Sequence, residues 1–169
     1  MRILVYGFGP YRQFRRNITA RIIRSLTKTS TLTTKIFSVR FQRRPFIAAL
    51  ERHRPDVVLG LGQSSRKHMQ METTARNRRR NGKRDRLKPI FKKGPKVLQT
   101  TLRVPVGAPI RRSRDAGDYV CNYSMYVFLD AIARQRRPVR FGFIHIPYDS
   151  NVLQATRLVQ RVLRHCRAV

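Results

Sequence analysis

With 169 residues, 41% of them hydrophobic, the chain is long enough to bury its own core and too apolar to stay wholly disordered. No apolar run approaches the length that spans a bilayer, and two cysteines without a Cys-x-x-Cys pair exclude a disulfide scaffold or a zinc knot. The charge is extreme: 38 Lys and Arg face 8 Asp and Glu, a formal net of +30, so polyanions are attracted whatever the fold.

Residues 3–6 form a β-rich run that stops at Gly7, and Gly7, Gly9 and Pro10 mark a loop. The opening run is too short for a secretory signal and lacks a cleavage site, so the cytoplasm is the expected location. Asn17 is placed to cap a helix over 18–26, with Ile18, Ile22, Ile23 and Leu26 on one face. A second strand is expected over 33–39 and a second helix over 46–53, with Phe46, Ala49 and Leu50 inward. Arg54-Pro55-Asp56 breaks that helix. The continuous run Val57-Val58-Leu59-Gly60-Leu61-Gly62 has the pattern of a strand buried on both faces. Strand and helix alternate, as in an α/β domain, whose site lies beyond the carboxyl ends of the strands.

Residues 76–96 are dense in Arg and Lys, hold one acid (Asp85), and carry Gly82, Pro89, Gly94 and Pro95. They read as a solvated loop, or as an electrostatic clamp for acidic peptides or nucleic acid. Residues 97–106 are expected to be extended, and 105–114 form another Pro/Gly/Arg connection. A helix follows over 119–134, with Asp118 as its N-cap and Arg134, Arg136 and Arg137 at its carboxyl end. Its apolar residues run around most of its circumference, which implies deep burial. Pro138 stops it, a strand runs over 139–146, and Ser150 or Asn151 caps a last helix with Val152, Ala155, Val159, Val162 and Cys166 on one stripe. The whole, residues 1–169, is read as a single α/β domain with a mixed sheet flanked by helices. Gly7-Phe8-Gly9 lacks the third glycine of a nucleotide fingerprint.

Four segments carry a resemblance. The first is Ile3-Leu4-Val5-Tyr6-Gly7-Phe8-Gly9-Pro10-Tyr11, with Asn17 downstream. The second is Pro55-Asp56-Val57-Val58-Leu59-Gly60-Leu61-Gly62-Gln63, then Arg66, Glu72, Ala75 and Asn77. The third is Ala116-Gly117-Asp118-Tyr119-Val120-Cys121-Asn122-Tyr123 with Tyr126, and the fourth is Gly142-Phe143-Ile144-His145-Ile146-Pro147-Tyr148. In this order they resemble the pyroglutamyl peptidase I (pyrrolidone-carboxylate peptidase) family of cysteine peptidases, from residue 1 to about 148. The chain departs from that family in having Arg12-Gln13 and Ser64-Ser65 where the family has Gly-Gly, and in the basic segment after Asn77.

The resemblance implies a three-layer α/β/α sandwich with a mixed, mostly parallel sheet. It implies an omega-peptidase that removes N-terminal pyroglutamate from peptides through a thioester acyl-enzyme, without metal or organic cofactor. Cys121 would be the nucleophile, near a helix amino terminus that favours a thiolate. Asp115 and Asp118 would oppose that charge if they faced inward. His145, at the carboxyl end of a strand, would be the acid–base group, and Glu72 would orient its ring. Glu72 is the only acid between Asp56 and Asp85. Backbone N–H groups of Cys121 or Asn122 would receive the oxyanion, with Arg66 as a further candidate. Phe8 and Tyr11 would wall the pyroglutamyl slot, with Asn17 and Gln63 nearby. Read without the resemblance, Phe8 and Tyr11 are equally core aromatics, and Asn17 is equally a helix cap.

Cys166 reads as a core residue, and His53, His68 and His165 as surface residues. The runner-up function is a divergent family member with altered or lost peptidase activity that binds nucleic acid or another polyanion through its basic surface. No ribonucleoprotein motif accompanies that charge. Family members often form oligomers, whereas +30 resists self-association at low salt, so the oligomeric state stays open.

Overall fold

The computed structural model describes residues 1–11, 15–104, 109–135 and 138–168. The first strand, β1 (Ile3–Phe8), is buried along its whole length, as an apolar run must be when helices cover both faces of a sheet. It is followed by α1 (Ile18–Ser25), β2 (Leu32–Phe37), α2 (Arg43–His53) and β3 (Val57–Ser64). Four short strands come next: β4 (Met69–Glu72), β5 (Thr74–Arg76), β6 (Val97–Gln99) and β7 (Ile110–Ser113). Then come α3 (Val120–Arg134), β8 (Arg140–Pro147) and α4 (Val152–Ala168).

Six strands make one sheet in the order β2-β1-β3-β8-β4-β7, and β5 pairs with β6 apart from it. Every neighbouring pair in the sheet is parallel except β8 and β4. One core, under α1 and α4, joins Ile18, Ile22 and Ile23 to Ala155, Val159, Val162 and Cys166. The other, under α2 and α3, is built around Tyr6, Phe46, Phe128, Phe141 and Phe143. The outcome is a three-layer α/β/α sandwich with a mixed, mostly parallel sheet. Twelve of the fifteen residues of α3 are buried, so the helix is covered on its outer side as well.

That outer cover is the basic segment. It is a folded strap, unlike the solvated loop its composition suggests. Ala75 and Arg76 pair with Leu98 and Val97, and a further bridge joins Arg79 to Lys88. Asn77 holds the turn: its carbonyl oxygen accepts from the N–H groups of Ile90 and Phe91, and its amide donates to the carbonyls of Phe91 and Gly94. From α3, Tyr126 donates to the Pro95 carbonyl at 2.7 Å. Asn122 donates to the carbonyls of Arg76 and Arg78 and accepts from the Arg76 N–H. Two asparagines thus satisfy much of the strap's backbone.

Other boundaries shift. The N-cap of α3 is Tyr119, not Asp118; Asp118 is drawn away by Arg78 at 2.6 Å and Arg80 at 3.0 Å. Asn151 caps α4, accepting from the Gln154 N–H. The extended stretch expected over 97–106 is a strand only over Val97–Gln99, after which Thr101 and Leu102 donate to the Phe141 carbonyl. β7 runs through the expected 105–114 connection, and β4 through a stretch with no expected element. Residues 105–108, Arg12, Gln13, Arg136 and Arg137 lie outside the described residues. Among the described residues no helix is long and apolar enough to cross a membrane.

Candidate active site

β3 and β8 run side by side in parallel, with Gly62 opposite His145 and Gln63 opposite Ile146. Both strands end at the same rim of the sheet, and β4 returns antiparallel along β8. That reversal brings Glu72 beside His145 across a sequence separation of 73 residues. The His145 Nδ1–H donates to Glu72 Oε1 at 2.8 Å, and the carboxylate is fully buried. Nδ1 is thereby committed, and the other edge of the ring, Cδ2 and Nε2, is left for the Cys121 thiol, to which it hydrogen-bonds. Phe143 stacks edge-on against the imidazole at 5.1 Å and fixes its plane.

Burial works against a charged imidazole, yet the charge of Cys121 and hydrogen bonds to Cys121 and Glu72 outweigh it. Together with the Glu72 charge they raise the His145 pKa from 6.5 to about 9. The ring is therefore protonated at neutral pH. Glu72 Oε2 is buried without a hydrogen-bond partner among the described residues. Its Oε1 serves both His145 and, at 3.6 Å, Arg66.

The close approach needs Gly62. A Cβ built there would stand 2.8 Å from both Cys121 Sγ and His145 Cδ2, and 2.7 Å from the Phe143 ring. Glycine inside a buried strand is a readable sign of such a close approach, although the sequence does not say what approaches. Cys121 itself is in the first turn of α3, whose N-cap Tyr119 does not cap the helix with its side chain. The first-turn N–H groups have no acceptor within the helix and are available to an incoming anion. The opposing acids are compensated: Asp118 pairs with Arg78 and Arg80, and Asp115 lies 3.6 Å from Arg78.

Cys121 and His145 open into a cavity of about 290 Å³. Phe8, Tyr11, Val39, Tyr119 and Val120 give it apolar walls, and Asn17, Gln63, Asp118 and Tyr148 add polar groups. Phe8 is both core and wall, only 2% exposed, with its ring edge-on to Tyr6. Tyr11 stacks on Tyr119 at 5.0 Å. Asn17 is both cap and wall: its Oδ1 accepts from the Thr19 N–H at 3.0 Å and from the Thr19 hydroxyl at 2.8 Å. Gln63 Oε1 accepts from the Ile18 N–H at 2.9 Å, tying α1 to the end of β3. Val39 carries no sequence signal for this position, and Tyr148 ends the fourth resembling segment without a role assigned to it there.

Arg66 does not line the cavity. Its guanidinium donates to Gln70, to Ser113 Oγ at 3.1 Å and to the Asp115 carbonyl at 2.8 Å, clasping β4, β7 and the loop before α3. Cys166 is fully buried under α4, far along the chain from this chemistry. No cluster of three His, Cys, Asp or Glu able to hold a metal occurs among the described residues.

A family model described as pyroglutamyl peptidase matches residues 1–158. The pyrrolidone-carboxylate peptidase of Brevibacillus brevis is 30% identical over 170 residues, covering 86% of this chain and 78% of that protein. That of Pyrococcus furiosus is 30% identical over 169 residues, covering 88% and 81%. Among solved structures, a mutant pyrrolidone carboxyl peptidase from Pyrococcus furiosus superposes with a TM-score of 0.85 at 24% identity over 97% of each chain, a likeness of fold. The pyrrolidone carboxyl peptidase of Thermococcus litoralis gives 0.75 at 25% identity, covering 87% and 76%.

Proposed function

The chain belongs to the pyroglutamyl peptidase family of cysteine peptidases, and on that premise we propose that it removes N-terminal pyroglutamate from peptides through a thioester acyl-enzyme. The observation that carries this reading is the continuous Glu72–His145–Cys121 contact at the wall of a small, mainly apolar cavity. The pyroglutamyl ring is compact and mostly apolar, with one lactam N–H and one C=O. A slot of aromatic and valine walls with a few polar groups suits it.

In the proposed cycle the Cys121 thiolate attacks the carbonyl carbon of the pyroglutamyl residue. The oxyanion that forms is received by first-turn N–H groups of α3. His145 holds the proton at neutral pH and gives it to the leaving amine as the C–N bond breaks. Water then attacks the thioester. His145 takes the water proton, the C–S bond breaks, and pyroglutamate leaves. Glu72 keeps Nδ1 protonated and stabilises the imidazolium, so that Nε2 faces the reacting atoms.

The test is release of a fluorophore from a pyroglutamyl amide under reducing conditions. Turnover by the parent protein that disappears in Cys121→Ala and His145→Ala is the expected result. A well-folded parent protein without turnover would overturn the proposal.

A further inference from the structure

One edge of the sheet is β7, Ile-Arg-Arg-Ser, and a cleft lies at each end of the β4–β7 pair. At its carboxyl end a cleft of about 750 Å³ is lined by Thr73, Thr74 and Gln99 together with Arg76, Arg103, Arg112 and Arg114. At its amino end a cleft of about 640 Å³ lies against Met69 and Pro109 and takes Arg157, Arg161 and Arg164 from α4. Among the described residues neither lining contains an acid. Among the described residues no carboxylate comes within ion-pair distance of any of these arginines. The Nε of Arg76 is buried with no acceptor among the described residues. Elsewhere the chain spends its few acids on arginines: Arg66, Arg78, Arg80 and Arg134 each have a carboxylate.

Arginine on an edge strand also discourages strand pairing between molecules. That purpose needs one or two exposed charges, not two concave acid-free clefts supplied by four separate segments of chain. Like charges held together this way repel unless an anion joins them. The strand between the clefts has four residues and spans roughly 13 Å, the reach of two or three successive phosphates. Among the described residues the linings hold no aromatic side chain on which a base could stack.

We propose that the β7 edge is a binding track for the phosphate backbone of a nucleic acid, read by charge and without base contacts. The track is separate from the Cys121 cavity and shares no lining residue with it.

Three charge-matched variants test this, each confirmed as folded by its thermal melt. The first is Arg103→Gln/Arg112→Gln/Arg114→Gln. The second is Arg157→Gln/Arg161→Gln/Arg164→Gln. The control is Arg21→Gln/Arg24→Gln/Lys28→Gln, on and just after α1, beside the opposite edge of the sheet. All nine of these side chains are exposed. Binding of a fluorescent single-stranded oligonucleotide is read by anisotropy over a salt series. Each track variant should lose tenfold or more in affinity, with its log–log salt slope reduced by about 2, from three contacts at roughly 0.7 each. The control should lose less than threefold. As a second measurement, hydrogen exchange on the parent protein should show oligonucleotide protection over residues 110–114. Equal losses in all three variants would overturn the track and leave only a diffuse field. Binding of inorganic polyphosphate with no binding of the oligonucleotide would overturn the nucleic-acid assignment.

Discussion

The reacting centre depends on one missing atom. At Gly62 a methyl group would collide with Cys121, His145 and Phe143 together; Phe143 is fixed in the packed core, so the thiol and the imidazole must move. Gly62→Ala should therefore keep the fold and push the thiol and the ring apart. We expect kcat/KM to fall about a hundredfold, read in the pyroglutamyl amide assay alongside an unchanged circular dichroism spectrum. Retained activity would show that the contact is looser than the geometry indicates. His145 makes a second prediction at this scale. Its folded pKa, about 9, stands above the ordinary value of 6.5, so its protonated form contributes stability that is fully present below about 6.5. That contribution is lost as pH rises through about 9. The urea midpoint of the parent protein should drop across this window. The drop should shrink in Cys121→Ala and in Glu72→Gln, because each removes a cause of the raised pKa. A pH dependence identical in all three proteins would exclude His145 as its origin.

Among the elements, the strap over α3 shows how composition misleads. Its side chains describe a solvated loop, since Arg and Lys dominate it. Its backbone is nevertheless organised by two neutral residues, Asn77 from within and Asn122 from the helix that carries Cys121. A side-chain amide can both donate and accept, so each asparagine replaces several missing backbone partners. Asn77→Ala leaves the Ile90 and Phe91 N–H groups and the Gly94 C=O without partners and should cost about 2 kcal/mol or more. Trypsin should then cut within residues 78–96 much faster than in the parent protein, and an unchanged digestion pattern would count against the strap. The strap also matters to the cavity: Arg78 and Arg80 hold Asp118, which lines it, so the acid's charge is offset beside the thiol. The short strands β4 and β7 were invisible for a related reason. Four residues such as Ile-Arg-Arg-Ser have no periodicity to read, and they become strands because a neighbour offers hydrogen bonds.

For the whole molecule, a net charge of +30 on 169 residues means self-repulsion in the folded state. Salt that screens it should stabilise the protein. The melting midpoint should rise by several degrees as sodium chloride goes from about 0.02 M to about 0.3 M, where the screening length falls below the spacing of distant charges. A flat or falling midpoint would mean that local ion pairs such as Arg78–Asp118 outweigh the general repulsion.

The long elements were legible without coordinates because their information is local. A run such as Val57–Leu61 is apolar at every position, and only a doubly covered strand hides every side chain. The same holds for the apolar circumference of α3 and the stripe of α4. Cys121, His145 and Glu72 could be singled out by motif, because their neighbours in sequence carry the resemblance. What only the tertiary structure decided is how they meet and what surrounds them. The antiparallel return of β4 sets Glu72 against His145, the strap neutralises Asp118, and Arg66 turns towards Glu72 and away from the cavity. The acid-free clefts along β7 also appear only there, since their arginines come from four stretches of chain. Periodicity and capping act within a few residues and leave a mark on the sequence. Ion-pair choice and cavity walls depend on which distant segments the sheet order makes neighbours, and no local pattern encodes that.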